Sequence, residues 1–278
     1  MIKRLIDFYV FSNIHISIAA LIFTTSSYSF CHEIINWHYI LFITFGSFIL
    51  YNIHRYIGLG KINEDFHKSR HLIFVKYKWT LIFLFIISII CGGISFFYLS
   101  LSHQKWLALP IILSLAYVIP SYKKKRLRDF PFLKIVVISI VWAWFFIIPL
   151  RFSSGWLSLM IFLEKAFFIF ALTFPFDNRD REVDKATGLK TFANQISPEK
   201  GIKISMCFIL IAFLFSLILW SVNIYSTAQF TALILFYIIL SYLIKRSLEQ
   251  KEFYYLAYLD GMIMLHGIAL ILTSQPLS

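Results

Sequence analysis

Residues 79–99 read WTLIFLFIISIICGGISFFYL, twenty-one residues without a single charge, entered past Lys76 and Lys78. A helix rises about 1.5 Å per residue, so this stretch spans about 30 Å, the thickness of a bilayer's hydrocarbon core. The run is continuously apolar, not alternating, and each crossing segment must satisfy its own backbone hydrogen bonds, which favours a helix over a barrel strand. Working outward, eight similar stretches recur at 8–28, 38–58, 104–121, 132–150, 156–176, 202–222, 227–244 and 254–274. The expected fold is all-α: a polytopic membrane bundle of nine transmembrane helices, forming a single domain over 1–278.

Composition agrees. Of the 278 residues, 59% are hydrophobic and 14% charged, too little polar surface to cover a water-soluble domain of this size. The net charge of +12 does not point to nucleic acid, because the basic residues follow the spans. Of the 26 Lys and Arg, 23 lie before the first span or after spans two, four, six and eight, leaving Lys105, Arg151 and Lys165 elsewhere. By the positive-inside rule the N-terminus and those loops are cytoplasmic, in a bacterial-type inner membrane. Lys3 and Arg4 precede an apolar run without a small-residue cleavage site, so this segment reads as a first helix. Cys31, Cys91 and Cys207 have neither disulfide nor metal-ligand spacing and suit packing.

The segment after span six reads FPFDNRDREVDKATGLKT, residues 174–191. Asp177, Asp180 and Asp184 stand at i, i+3 and i+7, so a helical continuation of span six stacks three carboxylates on one face. Three like charges at close range repel, and a bound divalent cation offsets that. Mg²⁺ prefers oxygen ligands and is commonly held by one or two carboxylates together with substrate phosphates. Gly188 suits the end of that helix. The same spacing also accommodates a solvated loop in which Arg179, Arg181 and Lys185 pair with the aspartates.

The run Asp177, Asn178, Arg179, Asp180, Arg181, Glu182, Asp184, Gly188 and Thr191 resembles the second acidic motif of the UbiA-type intramembrane prenyltransferase family. The nine expected helices agree with that resemblance. It implies transfer of an isoprenoid group from a prenyl diphosphate to a small acceptor, aromatic or a quinone precursor, inside the membrane, with Mg²⁺ between two acidic motifs. Asp177, Asp180 and Asp184 become metal ligands, together with Asn52, which matches the start of the first motif. The sequence departs there: Tyr56 and Gly60 occupy the family's aspartate positions, and Glu64 and Asp65 lie further along. Residues 117–126, YVIPSYKKKR, resemble the family segment ending helix four. Lys123, Lys124, Arg126 and Arg181 are candidate diphosphate ligands, alongside Arg55, whose guanidinium stands in for missing metal charge.

Two alternatives stay open: a catalytically silent relative that binds a lipid diphosphate or a partner, and an ion carrier using Glu164 and Asp260. Charged groups within spans are expensive, and Glu164, Lys165, Asp260 and His266 are such groups.

Overall fold

The computed structural model describes residues 2–59, 68–119, 126–130, 133–150, 155–186 and 193–274. Along the chain run α1 (Ile2–Phe11), α2 (Ile14–Cys31), α3 (Trp37–Leu59), α4 (Lys68–Lys76), α5 (Lys78–Phe97), α6 (Leu101–Val118), α7 (Leu133–Ile147), α8 (Gly155–Ala186), α9 (Pro198–Ser221) and α10 (Thr227–Lys245). A short α11 (Glu252–Tyr254) continues through a π turn, Tyr255–Leu259, into α12 (Asp260–Thr273). No strand occurs among the described residues.

Among the described residues seven helical segments are long and apolar enough to cross a membrane: α2, α3, α5, α8, α9, α10 and the continuous stretch Glu252–Thr273. The expected count of nine is therefore not confirmed. Helix α7 is apolar but has 15 residues, about 22 Å of rise, and α6 carries His103, Gln104 and Lys105 near its start. The first span also starts later than residue 8. Asn13 adopts a left-handed conformation, φ 69°, which separates α1 from α2, and its side-chain amide donates to Asn52 Oδ1 at 3.1 Å. That partner lies 39 residues away, so nothing local in the sequence marks the break.

Side-chain caps define several helix starts. Ser197 accepts from the Lys200 N–H with Pro198 at the first helical position, and Ser226 with Gln229 forms a reciprocal capping box on α10. The broadest contacts join α8 to α9, α2 to α12, α7 to α8 and α3 to α5. At the α2–α12 contact the backbones meet: a Cβ on Gly267 would stand 2.9 Å from the Ile22 carbonyl oxygen. Small residues permit such approach where lipid supplies no hydrophobic drive between helices. Gly267→Ala is expected to destabilise the bundle by about 1–3 kcal/mol. Gly46→Ala, with nothing within 4 Å of the added carbon, should be neutral or slightly stabilising. Thermal unfolding in detergent of the two variants checks the contrast in sign.

Two ends of the bundle follow from the contacts. At one end Tyr39, early in α3, donates its hydroxyl to the Phe145 carbonyl late in α7 at 2.6 Å, and Trp144 Nε1 donates to the Trp106 carbonyl at 3.0 Å. At the other end gather the start of α2, the end of α3, the start of α7, the end of α8 and the start of α12. There Asn52 Nδ2 donates to the Phe48 carbonyl, Lys134 pairs with Asp177, and Asn178 Nδ2 donates to the Pro198 carbonyl at 3.3 Å.

Between the ends lies a fully buried polar network built on adjacent residues of α8. Lys165 Nζ donates to Glu164 Oε2 at 2.8 Å and lies 2.8 Å from the Tyr225 hydroxyl and 3.1 Å from His266 Nε2. Glu164 also accepts from Tyr225 at 2.5 Å, Ser216 at 2.8 Å and Tyr237 at 3.2 Å. Phe146 lies under the ammonium at 4.8 Å, and His266 stacks on Phe168 at 5.2 Å. The network ties α8 to α9, α10 and α12.

Candidate active site at one end of the bundle

Helix α8 continues unbroken from the apolar core through Asp177, Asp180 and Asp184 to Ala186. Pro175 sits inside it, removing one intrahelical hydrogen bond half a turn before Asp177. Asp177 is buried, and its Oδ1 pairs with Lys134 Nζ from the first turn of α7. Asp180 Oδ1 accepts from Arg179 Nε at 2.8 Å, its Oδ2 accepts from Nη2 at 3.2 Å, and Lys134 Nζ stands 3.9 Å from Oδ2. The two carboxylates are thus adjacent on one helix face, bridged by one ammonium and flanked by one guanidinium.

The Arg179 guanidinium lies between two rings, 5.2 Å from the Phe176 centroid and 5.2 Å from that of Tyr255. Arg55, near the end of α3, donates Nη1 to the Phe11 carbonyl and covers the Phe74 ring at 5.2 Å. It lies within charge–charge range of Arg179 and of Asp260 on α12. His54, its neighbour, is within range of Asp180, Lys134, Arg126 and Arg128.

The residues predicted from sequence divide as follows. Asp177 and Asp180 come together, and Arg55 joins them through Arg179. Asn52 lies nearby on α3, its Oδ1 taken by Asn13 and its Nδ2 by the Phe48 and Ser12 carbonyls. Arg126 is held by Asp129 through Nε at 3.2 Å and Nη2 at 2.9 Å, which fixes the approach to α7. Burial would raise the Asp129 pKa, but the hydrogen bonds and charge of Arg126 outweigh it and hold the carboxyl below its ordinary value. Arg181 donates Nη2 to the Ile196 carbonyl. Tyr56, at a family aspartate position, is 76% exposed. Lys123, Lys124, Gly60, Glu64, Asp65, Gly188 and Thr191 lie outside the described residues.

Sequence reasoning missed Lys134 and His54 and did not assign Asp260 to this end. Lys134 was visible as a basic residue at the edge of an apolar run. Only its register on α7, opposite Asp177, sets it apart from an orienting charge.

Among the described residues no three His, Cys, Asp or Glu side chains converge tightly enough to enclose a metal ion. The donors that are present, two carboxylates one turn apart, fit a single hard cation completed by waters and phosphate oxygens. They fit it once Lys134 yields its hold on Asp177. A second ion finds no carboxylate at Tyr56.

Fold and site together define a polytopic membrane bundle whose one end concentrates acidic and basic side chains. The chain belongs to the UbiA prenyltransferase family, whose profile matches residues 62–260. The match begins beyond Asn52–Tyr56, where the first motif departs. No curated protein matches by sequence. A UbiA homolog from Archaeoglobus fulgidus, solved bound to GPP and Mg²⁺, has a TM-score of 0.64 at 13% identity, covering 95% of this chain and 99% of its own. The same homolog bound to DMAPP and Mg²⁺ has a TM-score of 0.62 at 13% identity, with the same coverage. A digeranylgeranylglyceryl phosphate synthase structure has a TM-score of 0.60 at 17% identity, covering 99% of this chain and 100% of its own. At these identities the likeness shows the fold.

Proposed function

We propose that the protein transfers an isoprenoid group from an allylic prenyl diphosphate to a small electron-rich acceptor, aromatic or a quinone precursor, within the membrane. The observation that carries this is the Asp177–Asp180 face of α8 set among Lys134, Arg179 and Arg55 at one bundle end. The concentration of Lys and Arg in the loops at that end supports a cytoplasmic orientation for it, in which a diphosphate headgroup is soluble while its tail remains among helices.

Asp177 and Asp180, with Asp184 on the same helix face by spacing, would hold one Mg²⁺ that neutralises charge on the departing diphosphate. Lys134 exchanges a carboxylate for a phosphate oxygen, and the Arg55 and Arg179 guanidiniums present planar donors to the same group. The allylic C–O bond breaks with its electron pair leaving on diphosphate. The acceptor supplies the electron pair of the new bond to carbon and loses a proton. Buried aromatic residues around the bundle interior keep water from the allylic centre.

The neutralisation of both carboxylates by Lys134 and Arg179 favours a second reading, a relative that binds lipid diphosphate without turnover. Purified protein in lipid, incubated with Mg²⁺, labelled geranyl, farnesyl or geranylgeranyl diphosphate and aromatic acceptors, separates them. Prenylated product supports transfer. Binding without product supports the silent reading, and neither binding nor product defeats both.

A further inference from the structure

Asp260 stands apart from the α8 carboxylates and reaches this end of the bundle from a different helix. The turn before it, Tyr255–Leu259, is a π turn in which the Asp260 N–H donates to the Tyr255 carbonyl, five residues back. In an α-helix, residues i and i+5 point about 140° apart. In the wider π turn they lie nearly one above the other, and such turns recur at functional sites. The extra residue therefore brings the Tyr255 ring and the Asp260 carboxylate to one side of the helix.

Arg179 is what they share. Its guanidinium packs on the Tyr255 ring and interacts with the Asp260 charge. Arg55, from α3, interacts with the same carboxylate and with Arg179. Two guanidiniums that repel each other thus share the attraction of one carboxylate on a third helix. Their donors are not exhausted. Asp180 takes Nε and Nη2 of Arg179, while its Nη1 is buried without a hydrogen-bond partner. A buried, unpartnered N–H on a cation calls for an anionic oxygen.

We propose that Asp260 is a positioning residue that holds Arg55 and Arg179 together as a clamp for the diphosphate of the prenyl donor. Two guanidiniums carry the charge of one divalent ion, in a sequence whose first motif has Tyr56 and Gly60 at the family's aspartate positions. Planar forks suit phosphate oxygens better than a point charge does. The π turn is the local device that aims the carboxylate. This inference rests on the prenyl diphosphate reading above.

The test is equilibrium binding of labelled geranyl diphosphate at fixed Mg²⁺ to protein in lipid nanodiscs. Asp260→Asn is expected to weaken binding at least tenfold, leaving unchanged the Mg²⁺ concentration that half-saturates binding. Asp260→Glu, which restores the charge, should recover most of the affinity. Arg55→Gln should weaken binding to a similar degree, and the double variant Asp260→Asn/Arg55→Gln no further than Arg55→Gln alone. Thermal unfolding of each variant runs beside the binding curves. Wild-type affinity in Asp260→Asn, or losses that add in full in the double variant, overturns the clamp. Should Asp260→Asn not fold, Arg55→Gln with wild-type affinity overturns it equally. Absence of binding by the wild-type protein overturns the prenyl diphosphate reading and the clamp with it.

Discussion

Asp180→Ala is expected to lower prenyl transfer by about 10²–10³-fold at saturating donor, the range seen when one electrostatic stabiliser of a developing anion is removed. Asp180 meets several charged groups: Arg179 through two hydrogen bonds, Lys134 at 3.9 Å, and His54 within charge–charge range. Its loss would remove a candidate metal ligand and free Arg179 from its tether in one step. A purely structural Asp180 predicts a different outcome. Arg179 would then be left without its hydrogen-bonded partner, and the variant would lose stability without a specific loss of turnover. Comparing kcat with the unfolding temperature of Asp180→Ala and Asp180→Asn distinguishes the two. A kcat within threefold of wild type removes Asp180 from the chemistry.

The largest expected effect on stability lies in the buried network of α8. Glu164→Leu leaves the Lys165 ammonium in a fully buried site, with Tyr225, Ser216 and Tyr237 deprived of their shared acceptor. Breaking a buried pair by removing one partner costs about 3–5 kcal/mol. Lys165→Met should cost a similar amount by stranding the carboxylate. Glu164→Gln combined with Lys165→Met keeps an acceptor for the hydroxyls and removes both charges, and it should recover most of the loss. Denaturant unfolding in detergent gives the cycle. Single-variant losses below about 1 kcal/mol would show that water or lipid headgroups reach the pair. The same closure argues against ion carriage, since Glu164 is saturated by Lys165, Tyr225, Ser216 and Tyr237.

Much of the architecture was legible because lipid imposes one simple demand, long apolar runs with internally satisfied backbones. Residues 79–99, 202–222 and 227–244 announced themselves on that ground alone. The helix count was less legible, since α6 and α7 are made marginal by polar residues near a helix start and by length, and packing decides such cases. The false start at residue 8 has a clear cause, because the left-handed Asn13 is stabilised by Asn52 from the next crossing.

In the site, the i, i+3 spacing of Asp177 and Asp180 was readable, and it survives because α8 continues as a helix past Pro175. The pairing of Arg179 with Asp180 was readable as well, as the solvated-loop alternative. Lys134 and Asp260 were not, because each meets α8 from another helix and no short-range pattern encodes that register. A π turn leaves little trace in composition. Arg126, a candidate diphosphate ligand by sequence, pairs with Asp129 three residues on, a contact within the reach of a local reading.

The claim on which the rest depends is that the acidic end of α8 binds one divalent ion together with a lipid diphosphate. Mn²⁺ replaces Mg²⁺ at oxygen sites and is counted directly by electron paramagnetic resonance. Titrated into protein in nanodiscs with a non-reactive geranyl thiolodiphosphate, Mn²⁺ should bind at one ion per chain. Asp177→Asn/Asp180→Asn should abolish that binding. Two ions per chain, or one ion that persists in the double variant, would contradict the account.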